Sequence, residues 1–427
     1  MIAALAPVVI ALISFLLRVV NLGRINSFIF DEVYYVDGAR DLLKFGVEVT
    51  GAKPEFVVHP PLGKWLIGAG IEVFGDNGFG WRITSAIFGS LMILLVARIA
   101  HTLFRDSFLT GLASALMALD GLALVHSRTA LLDNFLAFFI LAATYLFLTK
   151  RYWWTGLALG CALATKWSAL YFMIAFGAIG LYRAFTHHTG RALIKPTLQR
   201  IVQFGVIPLT VYLSSWVGWF ASNRGWDRHY SKNILSSFIY YHQQMLAFHT
   251  GLVEKHSYQS NPWGWMIMAR PTSFFYETPQ GCGSKSCSQE ILALGTPFLW
   301  WLGTIAVMVL FGLWLRSILV KRIDPALSIV MTGIAAGYLP WFFFQKRTMF
   351  TFYTISFEPF LMLILIYILA KYLSGAKDEE NLTKRKSTAI AIGVIYLACF
   401  LYFLPLFYGV TITYNSWYDH MWLPSWI

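Results

Sequence analysis

Two adjacent carboxylates, Asp31 and Glu32, stand shortly beyond the end of an apolar stretch, in the run Ser27-Phe28-Ile29-Phe30-Asp31-Glu32-Val33-Tyr34-Tyr35. A carboxylate held within hydrogen-bond reach of a hydroxyl can take its proton and make the oxygen a nucleophile. Cations occur at a similar membrane depth: Arg128 in His126-Ser127-Arg128-Thr129, Lys166 in Ala164-Thr165-Lys166-Trp167, and Arg347 beside Lys346. Charges near the hydrocarbon are costly, which makes each a candidate for function. A cationic set suits a leaving phosphate, whose developing charge must be stabilised. Acid and cations together point to transfer of a group from a lipid phosphate to a hydroxyl. Each also has an ordinary structural reading: a solvated acidic pair, an Arg128 paired with Asp120 or Asp133, a Lys166 snorkelling to headgroups. The convergence of all of them, rather than any one, carries the chemical reading.

Composition defines what must position these groups. Of 427 residues, 57% are hydrophobic and only 13% charged, with a mean hydropathy of +0.60. That is too apolar for a soluble globular domain and reads as an all-α polytopic membrane protein, in which a span needs roughly 20 apolar residues. Eleven spans are expected, with approximate limits 2–20, 81–104, 107–121, 132–149, 153–166, 167–185, 201–220, 291–315, 325–344, 349–370 and 388–409. The stretch Ile2 to Val20 lacks a charged start and a small-residue cleavage site, so it reads as a retained first helix rather than a signal peptide.

The net charge of +12 is first a topology signal. An odd number of spans places the termini on opposite sides, so alternate loops form two groups. In one group sixteen cations, from Arg98 to Lys386, meet five acids; in the other, seventeen cations meet sixteen acids. The strongly basic group is assigned to the cytoplasm, with the N-terminus inside and the C-terminus outside. Three long segments then face outward: residues 21–80, residues 221–290 and the tail 410–427, all parts of one membrane-embedded catalytic domain over 1–427. Loops of that length are usually functional. No phosphate-cradling glycine loop is present, and no nucleotide is available on that face. No nucleic-acid partner is implied.

The first outer loop turns at Val58-His59-Pro60-Pro61-Leu62-Gly63-Lys64-Trp65, after which Leu62 to Phe74 is too short to span and reads as a helix lying in the interface, with Trp65 at headgroup level. The second carries Tyr240, Tyr241, His242, His249, His256, Tyr258, Trp263 and Trp265, suited to stacking on a peptide or sugar. Its histidines fit no zinc spacing, so no metal site is expected. Cys282 and Cys287, in this outer loop, are a disulfide candidate in an oxidising compartment; Cys161 and Cys399 fall inside spans.

The runs Phe30-Asp31-Glu32-Val33-Tyr34-Tyr35, His59-Pro60-Pro61-Leu62-Gly63-Lys64, Ser127-Arg128 with Leu131-Leu132-Asp133, Lys166-Trp167-Ser168, His256 to Trp263, Arg270-Pro271, Leu294-Gly295-Thr296-Pro297 and Phe350-Thr351-Phe352-Tyr353 occur in one order along nearly the whole chain. In this the sequence resembles the protein O-mannosyltransferases, above all their bacterial branch. The resemblance implies a GT-C glycosyltransferase fold and transfer of mannose from polyprenyl phosphate mannose to Ser or Thr of secreted or membrane proteins, with inversion. It implies Asp31 as base with Glu32 beside it, Arg128, Lys166 and Arg347 at the donor phosphate, and His59, Lys64 and Arg270 ordering the loops or the substrate. No cofactor is implied, a divalent ion being left open, as is contact with secretion machinery. The cell membrane is the expected location, with the site on the extracytoplasmic face. The second outer loop is too short for the β-trefoil insertion of eukaryotic relatives. Two alternatives stand at this point: a lipid-phosphate-sugar transferase acting on a glycolipid or wall polymer, and, more remotely, a lipid or sugar transporter.

Overall fold

The computed structural model of the chain describes residues 2–322 and 324–427, which divide into two compact units. The first comprises Val19–Phe88 and Arg128–Glu254; the second comprises the N-terminal residues through Arg18, then Gly89–Ser127 and Lys255–Ile427. Both are mainly helical. Five described helices are long and apolar enough to cross a membrane: Gly78–Phe104, Ala169–His187, Pro297–Leu319, Pro325–Phe344 and Glu379–Tyr408; Leu5–Val19, Ser107–Ala118 and Leu132–Leu148 are apolar but shorter. The chain is a multi-pass membrane protein.

The first unit holds the loop after the initial helix. Its helix Glu32–Phe45 begins directly after Asp31 and stops at Gly46, whose φ of 74° closes the last turn in the left-handed conformation. The expected helix Leu62–Phe74 is present with those bounds, starting where Pro60-Pro61 leaves no amide to continue a preceding one. Helix Tyr152–Leu163 lies close against the segment 202–215 because Gly156 and Gly160, spaced as in a small-xxx-small interface, face its π turn Val202–Val206 and its helix Ile207–Ser215 respectively. A Cβ at Gly156 would lie 2.0 Å from the Gln203 carbonyl oxygen, and one at Gly160 2.9 Å from Pro208 Cα. Beside them Trp216, Trp219, Phe238, Tyr241 and Met245 form a core with Val47 and Val49 of the first loop.

The span expected over 201–220 is irregular along its length: the backbone passes from Ile194–Ile201 through a π turn at Val202–Val206 to Ile207–Ser215 and then Val217–Ala221. The all-α expectation needs correction. In the second unit Thr272–Glu277 pairs antiparallel with Cys287–Ala293, with an irregularity between Ser273 and Phe275, and Cys287–Ala293 pairs in turn with Ile412–Thr413. The apolar run expected to open a span at 291 is therefore the end of a strand; the helix starts at Pro297, after Thr296. A short apolar run does not by itself distinguish strand from helix.

Cys282 and Cys287 are joined by a disulfide across the turn between the two longer strands. Replacing both by serine removes a small closed loop and is expected to lower stability by about 2 kcal/mol. Thermal unfolding in detergent measures the loss, and thiol labelling with and without reductant checks the bridge. Arg270 ties the tail to this unit: its guanidinium donates to the carbonyls of Ser257, Ser425 and Ile427.

Candidate active site

The local backbone aims Asp31. Phe30, just before it, has φ of 52°, a conformation L residues adopt at a cost and keep where the surroundings enforce it. The enforcement comes from Glu32, fully buried. Its Oε1 accepts from Arg82 Nε at 2.7 Å and from the Ala130 amide at 2.8 Å; its Oε2 accepts from Arg82 Nη2 at 2.6 Å and from the Ile29 amide at 2.9 Å. Arg82 also donates to the carbonyls of Leu22, Ile25 and Ser27. The two neighbouring acids thus have opposite surroundings. Glu32 has both oxygens engaged in the frame, whereas Asp31 remains half-buried at its edge.

Asp31 accepts from Tyr35 Oη at 3.4 Å, one helical turn on. Burial pushes its carboxyl up to about 6; the Lys166 ammonium pulls it down, the Asp133 carboxylate adds to the rise, and the Tyr35 bond lowers it slightly. Lys166 and Asp133 are themselves a buried ion pair, Nζ lying 2.9 and 2.8 Å from the two carboxylate oxygens. Lys166 stands in the turn after Tyr152–Leu163, and Asp133 in the first turn of Leu132–Leu148.

The His-Pro-Pro-Leu-Gly-Lys run docks onto both of these segments. The Leu62 amide donates to the Ala164 carbonyl at 3.1 Å. A Cβ at Gly63 would lie 2.6 Å from Leu132 Cδ2 and 3.1 Å from Thr165 Cγ2, the residues preceding Asp133 and Lys166. Lys64 is buried in a 2.5 Å pair with Glu48 of the same loop. Gly63→Ala is expected to lower stability by about 1 to 3 kcal/mol and to reduce turnover by displacing Leu132 and Thr165. Thermal unfolding and the steady-state rate check it together; an alanine variant equal to the parent in both contradicts the packing account.

Further out, the ring of His59 lies between Tyr35, at 6.0 Å between centroids, and His249, at 5.2 Å. His249 Nε2 bonds the Val58 carbonyl at 2.7 Å, and Tyr241 Oη bonds both the amide and the carbonyl of Val57. Helix Ile234–Gly251 therefore clamps the loop ahead of His59. Tyr241 and Trp265, expected to stack on a ligand, are 2% and 0% exposed, so both belong to the packing. Tyr240 instead stacks on Tyr230 at 3.7 Å, and Tyr230 is exposed.

Asp31, Glu32, His59, Lys64, Arg128 and Lys166 all belong to the first unit, and Arg270 and Arg347 to the second. Arg128 donates from Nη1 to the Val20 carbonyl at 2.9 Å. Arg347 lies over the rings of Trp341 and Tyr353, its buried Nε meeting no hydrogen-bond partner among the described residues, while Lys346 is exposed. The sequence reading passed over Arg82. The rule that singled out the other cations, a charge beside a long apolar run, applies equally to it.

This multi-helical membrane chain has the GT-C fold, as solved structures show. The yeast protein O-mannosyltransferase Pmt1-Pmt2 complex bound to the sugar donor superposes with a TM-score of 0.84 at 15% identity, over 100% of this chain and 93% of that one. ArnT from Cupriavidus metallidurans gives 0.57 at 15% identity, over 94% and 76%.

The chain belongs to the protein O-mannosyltransferase family and is a glycosyltransferase. Residues 8–218 match the dolichyl-phosphate-mannose-protein mannosyltransferase family, and 234–426 match the C-terminal four-transmembrane region of protein O-mannosyltransferase. The polyprenol-phosphate-mannose–protein mannosyltransferase of Mycobacterium tuberculosis is 32% identical over 98% of this chain and 90% of its own length. That of Mycolicibacterium smegmatis is 33% identical over 98% and 92%.

Proposed function

We propose that this enzyme transfers mannose from polyprenyl phosphate mannose to the hydroxyls of Ser and Thr in exported proteins, with inversion, on the extracytoplasmic face of the cell membrane. The observation that carries the reading is the environment of Asp31, a half-buried carboxylate raised to about 6 beside a lysine. Such a group is ionised at neutral pH yet more basic than a solvated aspartate, as a general base requires. In the reaction Asp31 takes the acceptor hydroxyl proton as that oxygen forms its bond to the anomeric carbon. The bond from that carbon to the phosphate oxygen breaks on the opposite side, and polyprenyl phosphate leaves. Lys166 and Arg128, both in the unit that holds Asp31, stabilise its charge. Glu32, its oxygens held by Arg82 and two amides, keeps the backbone of Asp31 in place rather than meeting substrate.

Relatives carrying the name polyprenol-phosphate-mannose–protein mannosyltransferase support the donor. The unequal distribution of basic residues over eleven expected crossings supports the face. Purified protein in detergent, given radiolabelled polyprenyl phosphate mannose and a Ser/Thr-rich peptide, is expected to yield a mannosyl peptide whose anomeric configuration is opposite to that of the donor. Label recovered only in lipid, or a product that keeps the donor's configuration, would reject the reading.

A further inference from the structure

We propose that Asp133 is a positioning residue for the transfer reaction: by holding the Lys166 ammonium on its own two carboxylate oxygens, it keeps the lysine from neutralising Asp31 and leaves the base free to accept a proton. The inference rests on the reading of Asp31 as general base.

The geometry is specific. Asp133 and Lys166 are 3% and 8% exposed, and the ammonium is chelated by both oxygens of one carboxylate. Taking one partner out of such a pair leaves a buried charge uncompensated. Both side chains act on Asp31 across space and in opposite senses, Lys166 the more strongly. Among the described groups, those that act on the Asp31 carboxylate are Tyr35 from Glu32–Phe45, by a hydrogen bond, and Asp133 from Leu132–Leu148 and Lys166 from the turn after Tyr152–Leu163, by charge. Glu32 is engaged by Arg82.

Physical chemistry fixes what each charge does. A lone ammonium beside Asp31 would favour its ionised form, weakening it as a base; a lone second carboxylate would favour its protonated form. The Asp133–Lys166 pair lies between these extremes. It also gives the lysine two possible partners when an anionic donor arrives, since an ammonium has three donor hydrogens and a phosphate can share it with Asp133. The docking of Gly63 against Leu132 and Thr165 fixes the spacing of the pair from outside.

The test is the acid limb of the pH–kcat profile, measured on the full-length protein in detergent with polyprenyl phosphate mannose and a Ser/Thr peptide. Asp133→Asn is expected to move the limb to lower pH and to lower kcat on the plateau. Lys166→Met is expected to move it to higher pH, each on the order of one pH unit, as for a single nearby charge. The double variant Asp133→Asn/Lys166→Met, which leaves no unpaired charge, is expected to fall between the parent and Lys166→Met, because the lysine has the larger effect. Asp133→Glu is expected to restore a near-parental limb. The midpoints then rise in the order Asp133→Asn, parent, double variant, Lys166→Met.

A merely structural role would lower kcat or raise KM without this ordering. Shifts in one common direction, or none, would overturn the role of Asp133 while the loss of activity in Asp31→Asn still upheld the base. Full activity and an unchanged limb in Asp31→Asn would overturn the base itself. Should Asp133→Asn fail to fold, the order of parent, double variant and Lys166→Met decides the question alone.

Discussion

Asp31→Asn is expected to lower kcat by about two to four orders of magnitude, the usual worth of a positioned general base, with the affinity for donor lipid nearly unchanged. The substitution keeps the shape of the side chain and an oxygen for the Tyr35 hydroxyl, and removes only the ability to accept a proton. In the parent, transfer is expected at full rate above the raised value of about 6 and to decline as the pH falls through it, because the base works only in its ionised form. A solvated aspartate would put that limb near 3.9. Mannosyl-peptide formation from pH 5 to 8, with donor binding measured separately, checks both points. An asparagine variant with the turnover of the parent would remove Asp31 from the chemistry.

The second large effect concerns the neighbouring carboxylate and is one of stability. Arg82→Ala or Glu32→Ala leaves one buried charge without its partner, a loss on the order of 3–5 kcal/mol. Arg82→Lys is expected to rescue little, since one ammonium cannot replace a guanidinium that meets both Glu32 oxygens and three backbone carbonyls. Glu32→Gln keeps one acceptor oxygen but leaves the Arg82 charge unpaired, and is expected to lose part of the same stability. Thermal unfolding in detergent with parallel turnover separates the two acids: Asp31→Asn folded and inactive, Arg82→Ala unstable. An Arg82→Ala protein as stable as the parent would show that the pair does not hold the loop.

The two acids are adjacent in sequence, and only the family resemblance ranked Asp31 over Glu32 as the base. Composition and spacing do not tell them apart, since both are carboxylates beside an apolar boundary. What separates them is the direction of two successive side chains at a helix start, with Phe30 held at positive φ, and that direction depends on an arginine fifty residues away. The same limit applies to the cations. Lys166 and Asp133 were each visible as polar residues in apolar surroundings, but their mutual pairing rests on two helix ends meeting in space.

Several features were legible because they depend on short-range rules. The membrane class followed from hydropathy, the helix Leu62–Phe74 from a proline pair and an apolar run of limited length, and the nearness of Cys282 to Cys287 from their separation in the chain. The strand Cys287–Ala293 was not legible: its last residues are apolar and run on toward a membrane helix, and only its partners Thr272–Glu277 and Ile412–Thr413 make it a strand. Tyr241 and Trp265 likewise carry the chemistry of ligand-stacking residues, and packing alone turns them inward.

By itself, then, the sequence determined the solvent this protein lives in, the residue types available for transfer from a lipid phosphate, and the order of motifs that places it in its family. Each of these is set by local composition and spacing. The tertiary structure decided which carboxylate is locked in the frame and which stands at its edge, and which anion holds the lysine. Those outcomes depend on charges brought together across long stretches of chain in a medium of low polarity, where the nearest partner decides what a group can do.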